Sequence, residues 1–239
     1  MELFPAMDLY QGEIVRLRQG RFEERTVFGS DIAGTARSFR EEGAEWIHVI
    51  DLEGAKKGFP CHLSAIGMLL DAGLKVQYGG GLRTEDHLEA AFSAGAERIY
   101  SGSLFASDPA GGNILFRRFG NRVIPAVDIR NGEVAVSGWQ VTAPFSPEQL
   151  VEHIAASGFT LFLVTAVHRD GTGTGPDLEM YRSLRNSFPD LSIIAAGGIS
   201  SLENIRSLAG AGMAGAVLGR ALYEGTVKLG DALKEASGC

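Results

Sequence analysis

Cysteine is almost missing from this chain of 239 residues, with Cys61 and Cys239 the only two. That is too few for a disulfide framework, and neither stands in a Cys/His spacing that would hold zinc. Cys61 reads as an incidental loop thiol and Cys239 as tail. No apolar run approaches the ~18–20 residues that a membrane-crossing helix needs. The opening Met1-Glu2-Leu3-Phe4-Pro5 has no basic segment followed by an apolar core, so a cytoplasmic protein is expected, without membrane contact. Positive charge is also in short supply. Lys and Arg total 22 against 29 Asp and Glu, a net charge of −7, which argues against a nucleic-acid surface and requires any anionic ligand to be held by a local site. The dinucleotide fingerprint is absent too, because Gly79-Gly80-Gly81 supplies glycines without the required spacing.

What the chain does contain is itself, twice. Phe4-Pro5-Ala6-Met7-Asp8-Leu9-Tyr10-Gln11-Gly12-Glu13-Ile14-Val15 returns as Ile124-Pro125-Ala126-Val127-Asp128-Ile129-Arg130-Asn131-Gly132-Glu133-Val134-Ala135, an offset of 120 positions from Asp8 to Asp128. Gly80-Gly81-Leu82, Gly95 and Gly102 return as Gly197-Gly198-Ile199, Gly212 and Gly219, each 117 positions later. Gly43 through Asp51 lines up with Gly158 through Ala166 at an offset of 115. Chance does not hold register over so many landmarks, and short loop insertions account for the drift.

Short Val/Ile/Leu-rich runs end near Asp8, Asp51, Tyr78, Ser101, Asp128, Thr165, Ala196 and Leu218, as strands buried on both faces should. Helical segments alternate with them: Ile32 to Glu42, Leu63 to Asp71, Glu85 to Ser93, Pro147 to Ser157, Leu178 to Asn186, Ser201 to Ala209 and Ala221 to Ala236. Thr84 and Ser201 open two of these with a capping hydroxyl and early acids. The pattern predicts an α/β protein, a single (β/α)8 TIM barrel over residues 1–239 built from duplicated half-barrels of about 1–120 and 121–239.

Active sites of such barrels lie at the carboxyl ends of the strands. Asp8 and Asp128 close strands 1 and 5, which are opposite one another in a ring of eight, so two carboxylates face across the mouth in an acid/base arrangement. A lone Asp in that place would be read as a turn former or cap. The glycine clusters form a second pattern. Gly80, Gly81, Arg83, Gly102 and Ser103 follow strands 3 and 4; Gly197, Gly198, Gly219 and Arg220 follow strands 7 and 8. Glycines there let backbone N–H groups approach an anion closely. One phosphate site per half implies a small-molecule substrate with a phosphate at each end.

Pro5-Ala6-Met7-Asp8-Leu9, His48-Val49-Ile50-Asp51-Leu52-Glu53-Gly54-Ala55, Gln77-Tyr78-Gly79-Gly80-Gly81-Leu82-Arg83, Gly138-Trp139, Arg169-Asp170-Gly171-Thr172 and Gly219-Arg220-Ala221-Leu222-Tyr223 resemble, over essentially the whole chain, the histidine-biosynthesis isomerase acting on phosphoribosylformimino-aminoimidazole carboxamide ribotide. The cyclase subunit of imidazole glycerol phosphate synthase is similar but fits His48 and Gly138-Trp139 less well. The resemblance implies an Amadori rearrangement of an aminoaldose to an aminoketose, with Asp8 as general base, Asp128 as general acid, and Thr165 and Asp170 as supporting catalytic positions. It also implies substrate contacts at Arg16, Gly20, His48, Trp139 and Gly175, no metal or organic cofactor, and a monomer without a protein partner. Two alternatives stay open: a bifunctional isomerase that also takes phosphoribosyl anthranilate, and the ammonia-using cyclase. The family usually carries an acid where this chain has Ala166, which puts the orientation of strand 6 in question, and His168 beside it reads as an exposed loop residue. Ser103 keeps the hydroxyl of the usual threonine. The stretches from Leu9 to Ser30 and from Ile129 to Pro147 read as long loops without a helix, suited to serve as lids, and Trp139 is placed either to stack on the substrate's imidazole or to pack beneath its loop.

Overall fold

The computed structural model describes residues 1–108, 111–136, 138–139 and 141–238, so the reading of Cys239 falls outside the described residues. Eight strands among the described residues form the barrel: β1 (Glu2–Tyr10), β2 (Trp46–Asp51), β3 (Lys75–Gly79), β4 (Arg98–Ser101), β5 (Val123–Arg130), β6 (Leu161–Ala166), β7 (Ser192–Ala196) and β8 (Gly215–Leu218). Each pairs in parallel with the next, and β8 returns to pair with β1 through Glu2↔Gly215 and Phe4↔Val217, closing the ring. Strands end within two residues of the predicted positions. Despite Ala166, β6 lies in parallel register between β5 and β7, with Ala166 opposite Ile129.

Side chains alternate across the pleat, and this explains why the strand runs read as apolar throughout. Leu3, Met7 and Leu9 of β1 join the layer beneath the helices, whereas Phe4 and Ala6 belong to a separate cluster inside the barrel with Trp46, Tyr100, Ile124, Leu163, Ile194 and Val217. Asp8 and Asp128 are thus the next inward positions after Ala6 and Ala126. At the other end, Trp46 is 6% exposed and meets Phe4 edge-on at 6.2 Å. The Arg98 guanidinium and the Lys75 ammonium cover its ring at 4.2 and 5.5 Å, a cation–π contact that satisfies the cations while the apolar ring fills the base of the barrel.

The two long loops are corrected by the structure. After β1 the chain doubles back as Glu13–Arg18 and Arg21–Gly29, and after β5 as Glu133–Val136 and Val141–Thr142. The first return strand pairs Asp8↔Val15 and Tyr10↔Glu13; the second pairs Asp128↔Ala135 and Arg130↔Glu133, the same register in both halves. Gln11-Gly12 and Asn131-Gly132 supply left-handed turns, with φ of 51° and 78° and of 53° and 83°, the backbone of a two-residue hairpin. Asn-Gly between alternating apolar residues was the signal for it.

Helices follow their predicted places, with Thr84 and Ser201 accepting from His87 and Asn204 N–H groups. Two differences stand out. The segment from Ala221 to Ala236 is two helices, Arg220–Tyr223 and Leu229–Ser237, because Gly225 turns left-handed at φ 69° and ends the first. Between β4 and β5 the chain forms two helices that were not predicted, Ser103–Ser107 and Gly112–Phe119. No helix among the described residues is long and apolar enough to cross a membrane.

Candidate active site

At the carboxyl end of the barrel, Asp8, Asp128, Thr165, Asp170 and His48 line one cavity of about 390 Å³. Asp8 and Asp128 stand on opposite strands, with three others between them in either direction around the ring. Arg16, expected in a loop, is on the return strand beside β1, and its Nη1 donates to Asp8 Oδ1 at 2.6 Å. Burial pushes the Asp8 carboxyl above its ordinary value, and the guanidinium opposes that rise. Asp128 is likewise pushed up by burial, against hydrogen bonds from the Thr165 and Trp139 side chains. Asp170 is pushed up to about 7, first by burial and then by the negative charges of Asp8 and Asp128. Three carboxyls in one enclosed space do not all ionise with ease.

His48 is held neutral. Burial, with the nearby Arg16 charge, lowers it to about 3. The Gln77 side-chain amide lies 2.7 Å from its Nδ1, and its ring stacks on Tyr100 at 4.4 Å. Gln77 and Tyr100 were missed from the sequence, although a lone polar residue at an inward position of an apolar strand was the available sign.

The glycine clusters sit on the rim. Gly80, Gly81, Arg83, Gly102 and Ser103 line the carboxylate cavity, Gly197 and Gly219 border it as well as a second cavity of about 490 Å³, and Gly198 and Arg220 line only the second. Gly80 and Gly197 make equivalent close approaches: a Cβ would lie 2.2 Å from the Asp51 carbonyl oxygen at the first and 2.6 Å from the Ala166 carbonyl oxygen at the second. Arg83 donates to the Ala55 carbonyl, and Arg220 to the Gly171 carbonyl at 2.9 Å. Gly175 lies behind the rim, its N–H donating to the Gly198 carbonyl.

Asp51 ties the first rim together. It accepts from Gly54 and His62 N–H groups, from His62 Nδ1 and from the Tyr78 hydroxyl at 2.5–2.9 Å. With Ala166 in the matching place, the loop after β6 is held instead by backbone turns, Arg169 N–H to Ala166 and Asp170 N–H to Val167. His168 is not an exposed loop residue: its Nε2 lies 2.9 Å from Asp177 Oδ2, with a quarter of the side chain accessible.

The hairpins close over the mouth. Gln19 donates its amide to the His168 carbonyl and its N–H to the Asp170 carbonyl. Arg130, another residue missed, holds the Trp139 and Gln19 carbonyls together. Trp139 bends at φ 68° and lays its ring against Gly20, where a Cβ would stand 2.4 Å from Cε3. Its ring therefore packs on a loop while its N–H reaches Asp128. Gly20→Val is expected to dislodge this ring, lowering kcat/KM at least ~10-fold and also lowering the melting temperature, since Gly20 sits at φ 74°, as steady-state kinetics and calorimetry would show.

Comparison with known proteins agrees with this geometry. The profile of the family described as "Histidine biosynthesis protein" matches residues 2–228. The 1-(5-phosphoribosyl)-5-((5-phosphoribosylamino)methylideneamino) imidazole-4-carboxamide isomerase of Moorella thermoacetica is 39% identical over 99% of both chains. The isomerases of the same name from Sorangium cellulosum and Syntrophomonas wolfei are each 41% identical, over 99% of this chain and 100% and 98% of theirs. The chain belongs to the histidine biosynthesis protein family.

Proposed function

We propose that this protein is the isomerase its relatives are named for, converting the phosphoribosylamino aldose to the corresponding aminoketose, as a monomer in the cytoplasm. The observation that carries the mechanism is the pair of carboxyls, Asp8 buried and Asp128 half-buried, at equivalent hairpin positions across one cavity. Asp128, raised by burial, gives a proton to the ring oxygen of the aminated ribose, and the C1–O bond opens to a protonated Schiff base. Asp8, whose carboxylate accepts from Arg16 at 2.6 Å before substrate enters, removes the C2 proton. The electrons left at C2 flow into the C=N+ bond, so the substrate is its own electron sink and no cofactor is needed. The resulting enol becomes the ketone as C1 takes up a proton and the C2 hydroxyl gives one up. The two glycine rims hold the terminal phosphates. The relatives are named as isomerases and not as cyclases, which sets the cyclase reading aside.

The test is turnover of that aminoaldose by the purified chain after dialysis against a chelator. Aminoketose is expected to form at an undiminished rate; folded protein without turnover would overturn the reading. A pH profile adds a second check. The Asp170 carboxyl keeps its proton to about pH 7, and its loss above that adds a negative charge beside a substrate with a phosphate at each end. Accordingly kcat/KM is expected to fall as pH rises through 7, and Asp170→Asn, which stays neutral, should remove that limb.

A further inference from the structure

Arg16 is part of the wall between the carboxylate cavity and the second cavity beside Gly198, Gly219 and Arg220. Its guanidinium lies 5.2 Å from the Tyr223 ring centroid and contacts that residue's hydroxyl, and two of its hydrogen bonds go to β1. Nη1 donates to Asp8 and Nη2 to the Ala6 carbonyl, while Nε is buried without a hydrogen-bond partner among the described residues. The residue is 7% exposed, so bulk water does not compensate. Beneath it lies the bare backbone of Gly219, where a Cβ would come within 2.9 Å of Arg16 Cζ. The guanidinium thus covers the close approach that this glycine opens, with one fork edge unspent.

We propose that Arg16 is a positioning residue shared between two anions, held by Asp8 until a phosphoryl group enters the Gly219–Arg220 cavity and draws the guanidinium over, which releases Asp8 as a base only once substrate is seated. A phosphate dianion offers the planar fork two parallel acceptors, whereas Asp8 engages it through one nitrogen. The inference rests on the isomerase reading for the identity of the phosphoryl group, but the exchange has its own signature. Coupling between two partners is reciprocal: if phosphate loosens Asp8 from Arg16, removal of the Asp8 charge must tighten phosphate, and must do so through Arg16.

The experiment is a titration with inorganic phosphate, followed at the Gly219 backbone amide by NMR with the Gly102 amide as reference, in the wild type, Asp8→Asn, Arg16→Gln and the double variant. Asp8→Asn is expected to tighten phosphate at Gly219 by about 5- to 100-fold, within the range of such couplings. In the Arg16→Gln background the same change should shift affinity less than about twofold, as an uncoupled pair would. Equal tightening in both backgrounds would mean simple charge removal and would overturn the proposal, as would no tightening or no phosphate binding at Gly219. If Arg16→Gln does not fold, Arg16→Lys replaces it, since one ammonium lacks the fork and should lose most of the coupling. Wild-type turnover of the aminoaldose, measured beside these titrations, judges the isomerase reading separately: activity with a failed titration removes only the exchange.

Discussion

Asp8→Asn should lower kcat by at least ~10²-fold, the range for removing a positioned base, while substrate still binds. An amide keeps the size of the carboxylate but cannot take the C2 proton, and binding persists because the backbone N–H groups of both glycine rims are unchanged. Asp128→Asn should lose a similar factor for the opposite reason, since the amide has no acid proton for the ring oxygen. The measurements are single-turnover rates with each variant and a substrate affinity by calorimetry. Activity within a few-fold of wild type in either variant would remove that residue from the mechanism. Solvent deuterium adds a finer check, because Asp8→Asn should stop exchange at C2 even where ring opening continues.

The second large effect is on stability. Asp51→Ala is expected to cost about 3–5 kcal/mol, the usual consequence of taking one partner from a buried polar cluster. The carboxylate is 0% exposed, and its loss would leave the Tyr78 hydroxyl and the Gly54 and His62 N–H groups facing an apolar side chain. Urea unfolding would show it as a lower midpoint. Burial works to raise the Asp51 carboxyl, but hydrogen bonds from His62, Tyr78 and the Gly54 and Cys61 backbone outweigh it and hold the group below its ordinary value. A depressed folded value means a contribution that is complete above the unfolded carboxyl value of ~3.9 and is lost as pH falls through the folded one. The wild type should therefore lose stability on acidification below about pH 4, and Asp51→Asn should lose less over the same interval.

Duplication made much of this legible in the sequence. Asp8 and Asp128 stood out because the same strand end was written twice, and the strand positions followed from apolar runs that a two-faced burial requires. What stayed hidden depends on contacts between distant segments. That Arg16 would bind Asp8 requires knowing that the chain folds back in the register Asp8↔Val15, and the polar run through Arg25 obscured the hairpin. The role of Trp139 as packing for Gly20 and partner of Asp128 arises only once two hairpins from opposite halves meet. Arg130 was hidden by the repeat itself, since its counterpart is Tyr10 and the comparison shows a difference without a purpose.

The filled base of the barrel, with Trp46 under Arg98 and Lys75, has a kinetic consequence. Packed there, the barrel takes in its reactant and gives up its product at the carboxyl-end mouth, where the cavity lies. Each catalytic cycle then includes an interval in which the hairpin tip at Gln19 lets go of the His168 and Asp170 carbonyls and the mouth stands open to solvent. Should that latch lift more slowly than the proton transfers behind it, its opening sets the ceiling on turnover.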